Sequence, residues 1–202
     1  VYCVLLCKIL NIKVIIRANS SPSGWNHNFI KKYFYKQIVS KANMIIVNSF
    51  QFQSQMWSEL DLKTKCIYNP LNISNLKRMS KKGKKKSFFK NNSALKLINI
   101  GRFTEQKDQI TILRAMNYLK KELNFRLIII GHGDRKQKLI NFIKKNHLSK
   151  SVKINDTITN PYGVLNQSDV FILSSKFEGL PNVLLEAAAL KKFIISTKCP
   201  SG

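Results

Sequence analysis

Acidic residues are what this sequence lacks most. Its 202 residues include 10 Asp and Glu against 35 Lys and Arg, a formal charge of +25. Residues 1–100 hold 18 basic and 2 acidic side chains, and residues 101–202 hold 17 and 8. A field of that sign favours nucleic acid, an anionic membrane surface or phosphorylated ligands. Coding bias competes as a cause, because Lys far outnumbers Arg while Asn and Ile abound, as in an AT-rich genome. Cysteine is sparse too. Cys3, Cys7, Cys66 and Cys199 form no Cys-x-x-Cys, and His27, His132 and His147 show no paired metal-ligand spacing. That pattern points away from a metal site and predicts a reducing compartment without structural disulfides. Cys3 and Cys7, a helical turn apart, read as small apolar packing positions. Long apolar runs are missing: Val1–Leu6 and Ile128–Ile130 fall far short of the roughly 20 residues that cross a bilayer. No repeat of solenoid length is present.

What is there supports a packed core. Hydrophobic residues make up 44% and charged residues 22%, which excludes a disordered chain, and the length suits one large or two small domains. The chain opens on Val1 rather than methionine and stops at Pro200-Ser201-Gly202 after a strand-like run, so it reads as an internal fragment.

Apolar runs alternate with helix-like stretches, the pattern of parallel sheets with crossover helices. Lys13–Arg17 and Met44–Asn48 read as short buried strands, with a helix over Asn28–Lys41 between them. Phe50–Leu60 reads as a helix capped by Asn48-Ser49, and Cys66–Asn69 as a strand ended by Pro70. Lys77–Lys90 carries eight basic residues in fourteen, interrupted by Gly83 and serines. That composition suits a solvated linker over 76–93, or a basic patch that meets membrane or nucleic acid. Beyond it, strands are predicted at Leu95–Ile100, Phe125–Ile130, Val152–Ile154, Val170–Leu173 and Phe193–Ser196. Helices are predicted near Asp108–Leu123, Arg135–Asn146, Pro161–Gln167 and Pro181–Leu190. The division that follows is the tail of one Rossmann-like domain over 1–75 and an incomplete second one over 94–202.

In open α/β sheets, ligands bind beyond the carboxyl ends of the strands. Two such loops stand out. In the first, Gly101 permits a sharp exit from the strand, Thr104 is a plausible helix cap, and Arg102 and Lys107 place a forked donor and a point charge near a helix start. That arrangement suits a diphosphate, and an ordinary basic surface loop fits it as well. In the second loop, Pro181 fits a first helical position, so Gly179–Asn182 would turn free N–H groups outward. The following helix is apolar on nearly every side and is expected to be buried, with Glu186 in its middle. An ionised carboxylate there is costly without partners, and no basic residue lies within a turn. Ligand hydroxyls or a distant Arg would satisfy it. Glu178 sits earlier, on the loop, free to reach another part of the same ligand.

Glu178 and Glu186 in the context EGLPNVLLEAAAL resemble the paired-glutamate motif of retaining glycosyltransferases of family 4. IGRFTEQKD resembles that family's phosphate-binding loop, Ile129–Gly133 its Gly-x-Gly turn, and Ser168–Ser174 the strand before the first glutamate. These landmarks cover residues 95–202 in the right order; residues 1–75 fit the acceptor-side domain more loosely. RANSSPSGW and STKCPSG resemble bacterial polysaccharide and lipopolysaccharide sugar transferases. The resemblance implies a GT-B fold, α/β with two Rossmann-like domains facing a cleft, the first truncated here and the second incomplete.

It also implies roles. Arg102 and Lys107 would hold the donor diphosphate and, with Glu178, act in catalysis. Gly101, Gly179, Leu180, Pro181 and Asn182 would line the donor, and Glu186 would accept hydrogen bonds from ribose. Asp156 and Thr157 fall where the family contacts the base. Many members carry a histidine just after the strand that corresponds to KVIIR. None stands here, leaving Arg17 or Asn19 for an acceptor-side role; a plain turn explains Asn19-Ser20-Ser21-Pro22 equally well. His132, between two glycines, reads as a turn residue. No Asp-x-Asp occurs, so no metal or other cofactor is implied and positive charge replaces a metal clamp. The implied partners are a nucleotide-sugar donor, a glycan or lipid-linked acceptor and an anionic membrane surface, with no nucleic acid. The implied place is the cytoplasm, at the inner face of the membrane. A nucleotide-sugar epimerase on the same scaffold and a basic nucleic-acid-binding module are the alternatives, the latter having no use for a carboxylate inside an apolar helix.

Overall fold

A computed structural model of the chain describes residues 2–19, 29–82, 89, 93–156 and 158–199. It divides into two compact units, one of residues 1–70 with 177–181 and 198–202, the other of residues 71–176 with 182–197.

The first unit runs α1 (Tyr2–Ile9), β1 (Ile15–Arg17), α2 (Phe29–Val39), β2 (Met44–Val47), α3 (Phe50–Leu60) and β3 (Lys65–Cys66). Its three strands are parallel in the order β1-β2-β3. Phe52, Met56 and Leu60 recur at helical spacing and bury one face of α3 among Val39, Ile45 and Val47. As the sequence predicts, Ser49 caps α3, its Oγ accepting from the Phe52 N–H at 3.1 Å. Three expectations fail, the first being the strand over Cys66–Asn69, since β3 ends at Cys66. β1 is not a buried strand: among the described residues it pairs only with β2, and Ile15 stands 63% exposed. Cys3 is exposed on α1 rather than packed.

The second unit runs α4 (Ile73–Lys82), β4 (Leu95–Ile100), α5 (Gln109–Leu119), β5 (Phe125–Ile130), α6 (Lys136–Lys145), β6 (Val152–Asn155), α7 (Tyr162–Gln167), β7 (Val170–Leu173), α8 (Asn182–Ala189) and β8 (Phe193–Ser196). Its five strands form a parallel sheet ordered β6-β5-β4-β7-β8. Alternate residues of the central strands feed two cores. Leu97, Leu127, Ile129, Val170 and Ile172 pack with α5 and α6. Ile98, Ile128, Ile130, Phe171 and Leu173 pack on the other face with Val164, Leu165 and Ala187. A strand buried on both faces reads as a continuous apolar run, which is why these strands are legible in the sequence.

Part of the expected 76–93 linker is a helix. In α4, Leu76 and Ser80 lie four apart on a buried face while Lys77, Arg78, Lys81 and Lys82 stay exposed. Asn160 Nδ2 donates to the Met79 carbonyl at 2.9 Å, and Phe89 enters the core of the second unit. The basic run is thus anchored at Leu76 and Phe89, which its charge hides. Among the described residues, no helix is long and apolar enough to cross a membrane.

Candidate functional site

The segment after β4 is tied down more firmly than its polar composition implies. Phe103 is fully buried in the core that α5 and α6 cover. Its N–H donates to the His132 carbonyl at 2.7 Å, and the Arg135 N–H donates to the Phe103 carbonyl at 3.0 Å. Arg102, next to the buried phenyl ring, is exposed and makes no side-chain hydrogen bond or ion pair among the described residues. Lys107 is half-buried. Ser174 Oγ donates within 2.9 Å of the Lys107 and Asp108 carbonyls, which fixes the far end of the loop to the end of β7. Thr104 does not cap the helix. The cap position falls at Asp108, and Thr104 Oγ1 is buried without a partner.

His132 is the turn residue the sequence predicts, and the glycines beside it have a specific cause. A Cβ on Gly131 would collide with the Gly101 carbonyl oxygen, and one on Gly133, at φ +150°, with the Phe103 carbonyl oxygen. Two backbones pass here too closely for any side chain.

Glu186 departs from its expectation. α8 is half-buried rather than buried, with only Ala187 fully enclosed. Tyr162, the first residue of α7, donates its hydroxyl to Glu186 Oε1 at 3.1 Å. No cation pairs with Glu186 among the described residues. Burial raises its pKa, and the Tyr162 hydrogen bond opposes that rise. Burial and the adjacent carboxylate push the Tyr162 hydroxyl up as well, so it stays protonated and donating at neutral pH. One neutral donor leaves most of the acceptor capacity of Glu186 unused. Asp156, after β6, is exposed and pairs with Lys136 Nζ at 2.6 Å. Asn182 is exposed at the start of α8. Thr157 and His27 lie outside the described residues.

Glu178, Gly179, Leu180 and Pro181 belong to the first unit. Glu178 is not a free loop carboxylate: it is 5% exposed. The Leu180 carbonyl accepts from Asn69 Nδ2 at 3.2 Å, and Asn69 Oδ1 accepts from the Arg17 guanidinium at 2.5 Å. A Cβ on Gly179 would meet the Asn19 carbonyl and the Asn48 side-chain oxygen at 2.8 Å each. Asn48 is 3% exposed, and its Oδ1 has no hydrogen-bond partner. Arg17 ends β1 and Asn19 follows it, while Asn48 follows β2 and Asn69 lies beyond β3, so the carboxyl ends of all three strands carry polar side chains.

Within the second unit, Gly101, Arg102 and Lys107 share one loop, while Asp156 lies beyond β6 and Glu186 on α8. The sequence does not single out Tyr162, Ser174, Gln109 or Asn69 as site residues, and it reads Asn48 only as part of a helix cap. Gln109 carries the clearest signal, a polar residue in register with the buried Ile112, Leu113 and Met116. It is itself buried, and its Nε2 donates to the Arg102 carbonyl at 2.9 Å. Among the described residues, no three His, Cys, Asp or Glu side chains gather as a metal site.

Comparison with known proteins follows the same lines. A family model described as glycosyl transferases group 1 matches residues 80–202. An uncharacterized glycosyltransferase of Methanocaldococcus jannaschii is 37% identical over 178 residues, covering 85% of this chain and 42% of the relative. The N-acetylgalactosamine-N,N'-diacetylbacillosaminyl-diphospho-undecaprenol 4-alpha-N-acetylgalactosaminyltransferase of Campylobacter jejuni is 27% identical, covering 100% of this chain and 56% of the relative. HepE of Anabaena, solved with UDP and glucose, superposes with a TM-score of 0.81 at 18% identity, over 98% of this chain and 56% of that one. The fold is therefore the α/β, GT-B type expected from the sequence. The chain spans about half the length of the curated relatives it matches.

Proposed function

Because the chain belongs to the glycosyl transferases group 1 family, we propose that it supplies the donor-binding part of a retaining glycosyltransferase. The enzyme moves a hexose or N-acetylhexosamine from a nucleoside diphosphate to a glycan or lipid-linked acceptor in surface polysaccharide synthesis. The observation that carries this reading is Glu186, a half-buried carboxylate met only by one neutral hydroxyl among the described residues. It needs further hydroxyl donors, and a ribose presents two on adjacent carbons.

The reaction breaks the bond between the anomeric carbon and the diphosphate oxygen, whose electron pair leaves with the nucleoside diphosphate. The acceptor oxygen forms the new bond on the same face, through an oxocarbenium-like transition state, and its proton passes to the departing phosphate. Negative charge grows on the leaving group, so the Arg102 guanidinium and the Lys107 ammonium lower the barrier there by fixed charge. The exposed, unpartnered state of Arg102 supports that role. On this reading no metal clamp is needed. Glu178, Gly179 and Leu180 contact the transferred sugar, Gly101, Pro181 and Asn182 border the donor, Asp156 and Thr157 meet the base, and Arg17 and Asn19 serve the acceptor side. The Campylobacter relative's name includes diphospho-undecaprenol, which supports a lipid-linked acceptor; on this reading the enzyme works at the inner face of the cytoplasmic membrane.

A panel of nucleoside diphosphates titrated calorimetrically against the full chain tests the site. Glu186→Ala and Lys107→Ala are each expected to weaken the preferred nucleotide about tenfold or more, the scale of a lost charge-assisted hydrogen bond. If neither substitution weakens any nucleotide, the assignment is wrong.

A further inference from the structure

We propose that Glu105 is a positioning residue that sets the loop carrying Arg102 and Lys107 against two neighbouring loops, so that the two cations meet a nucleoside diphosphate in a fixed arrangement. The proposal rests on the donor-site reading above. Arg135 Nη2 donates to Glu105 Oε2 at 2.7 Å, and Lys176 Nζ donates to Glu105 Oε1 at 3.1 Å. Arg135 stands at the start of α6, just past the Gly131–Gly133 turn, and Lys176 follows β7. One carboxylate thus joins the segments that leave β4, β5 and β7, using a different oxygen for each partner.

Backbone contacts run along the same lines. The Lys176 N–H donates to the Gln106 carbonyl at 2.8 Å, and the Arg135 N–H to the Phe103 carbonyl at 3.0 Å. Glu105 therefore reinforces two junctions that already exist, at the point midway between Arg102 and Lys107. Its surroundings favour the charged form: the Lys176 hydrogen bond and charge, followed by the Arg135 charge, hold its pKa below the usual carboxylate value. Arg114 and Lys138 line the same cavity, so four cations there stand against the acids Glu105 and Asp108, with Asp134 3.8 Å from the Arg135 guanidinium outside the lining. Removing the Glu105 charge leaves those cations repelling one another across the loop.

Glu105 is exposed and buries nothing, so its loss spares the fold and acts on loop order. The experiment compares the native full chain with Glu105→Gln and Glu105→Asp by calorimetry with UDP and GDP, and with uridine and guanosine. Hydrogen exchange is followed over residues 102–108. Glu105→Gln is expected to weaken the preferred nucleoside diphosphate about fivefold, in keeping with an exposed double ion pair. It should leave the nucleoside unchanged and speed exchange only in that loop. Glu105→Asp should recover part of the loss, and the gap should close in high salt, where exposed pairs are screened. Unchanged diphosphate affinity, or equal weakening of nucleoside and diphosphate, would overturn the proposal. Arg102→Ala separates the two readings: if it weakens the diphosphate and Glu105→Gln does not, positioning fails and the donor site stands. If no nucleoside diphosphate binds the native chain, both fall.

Discussion

At the scale of single residues, Glu186 and Tyr162 set a pH dependence. Burial lifts the Glu186 pKa above its unfolded value, so the folded chain holds that proton more tightly than the unfolded one. Its contribution to stability is then largest below the ordinary carboxylate value and declines as pH rises through the raised one. On the proposed donor site, binding would run the other way, because only the ionised carboxylate accepts ligand hydroxyls on both oxygens. Tyr162→Phe removes the hydrogen bond that restrains the shift. The acid limb of nucleoside diphosphate affinity is expected to move to higher pH in Tyr162→Phe and to vanish in Glu186→Gln, as read by titration across a pH series. A limb that neither change moves belongs to another group. Glu186 itself is legible in the sequence as an acid among aliphatic neighbours. Tyr162 is not, because the two side chains are 24 positions apart and only the packing of α7 and α8 brings them together.

At the scale of elements, the segments leaving β4 and β5 behave as one piece. The Gly101 N–H donates to the Ile130 carbonyl at 3.0 Å, and Gly131 leaves no room for a Cβ beside the Gly101 carbonyl. Gly131→Ala is expected to cost about 2–3 kcal/mol, since backbone must move on both sides and neither strand can yield. Urea unfolding of the purified variant measures it, and a loss under roughly 0.5 kcal/mol would show that the turn adapts. The central strands of the second unit are found where the apolar runs predict them. β1 and α8 differ in exposure because hydrophobicity alone does not say whether an element lies at an edge. Lys77–Lys82 differs because two buried positions suffice to anchor a helix that is otherwise charged.

At the scale of the whole molecule, a charge of +25 draws any polyanion, and that attraction must be told apart from a site. Delocalised binding releases counterions in proportion to the phosphates neutralised, so its affinity falls steeply with salt. On the proposed reading, a nucleotide held by Arg102, Lys107 and Glu186 would depend on few charges and on hydrogen bonds besides. Affinity for a heparin or vesicle surface is therefore expected to fall much faster with added salt than affinity for the preferred nucleoside diphosphate. Equal slopes would place both on the same diffuse field. Charge placement is plain in the sequence, whereas its organisation into ion pairs such as Lys136–Asp156 and Lys32–Glu59 is not.

The sequence alone determined the parallel α/β pattern, the loop of Arg102 and Lys107, and the acid on α8, because each is written in neighbouring residues. Only the tertiary structure decided which side chains those groups meet: Tyr162 on Glu186, Arg135 and Lys176 on Glu105, Asn69 on Arg17. Such partners come from distant strands and helices, and their meeting depends on sheet order and packing, which no local spacing encodes.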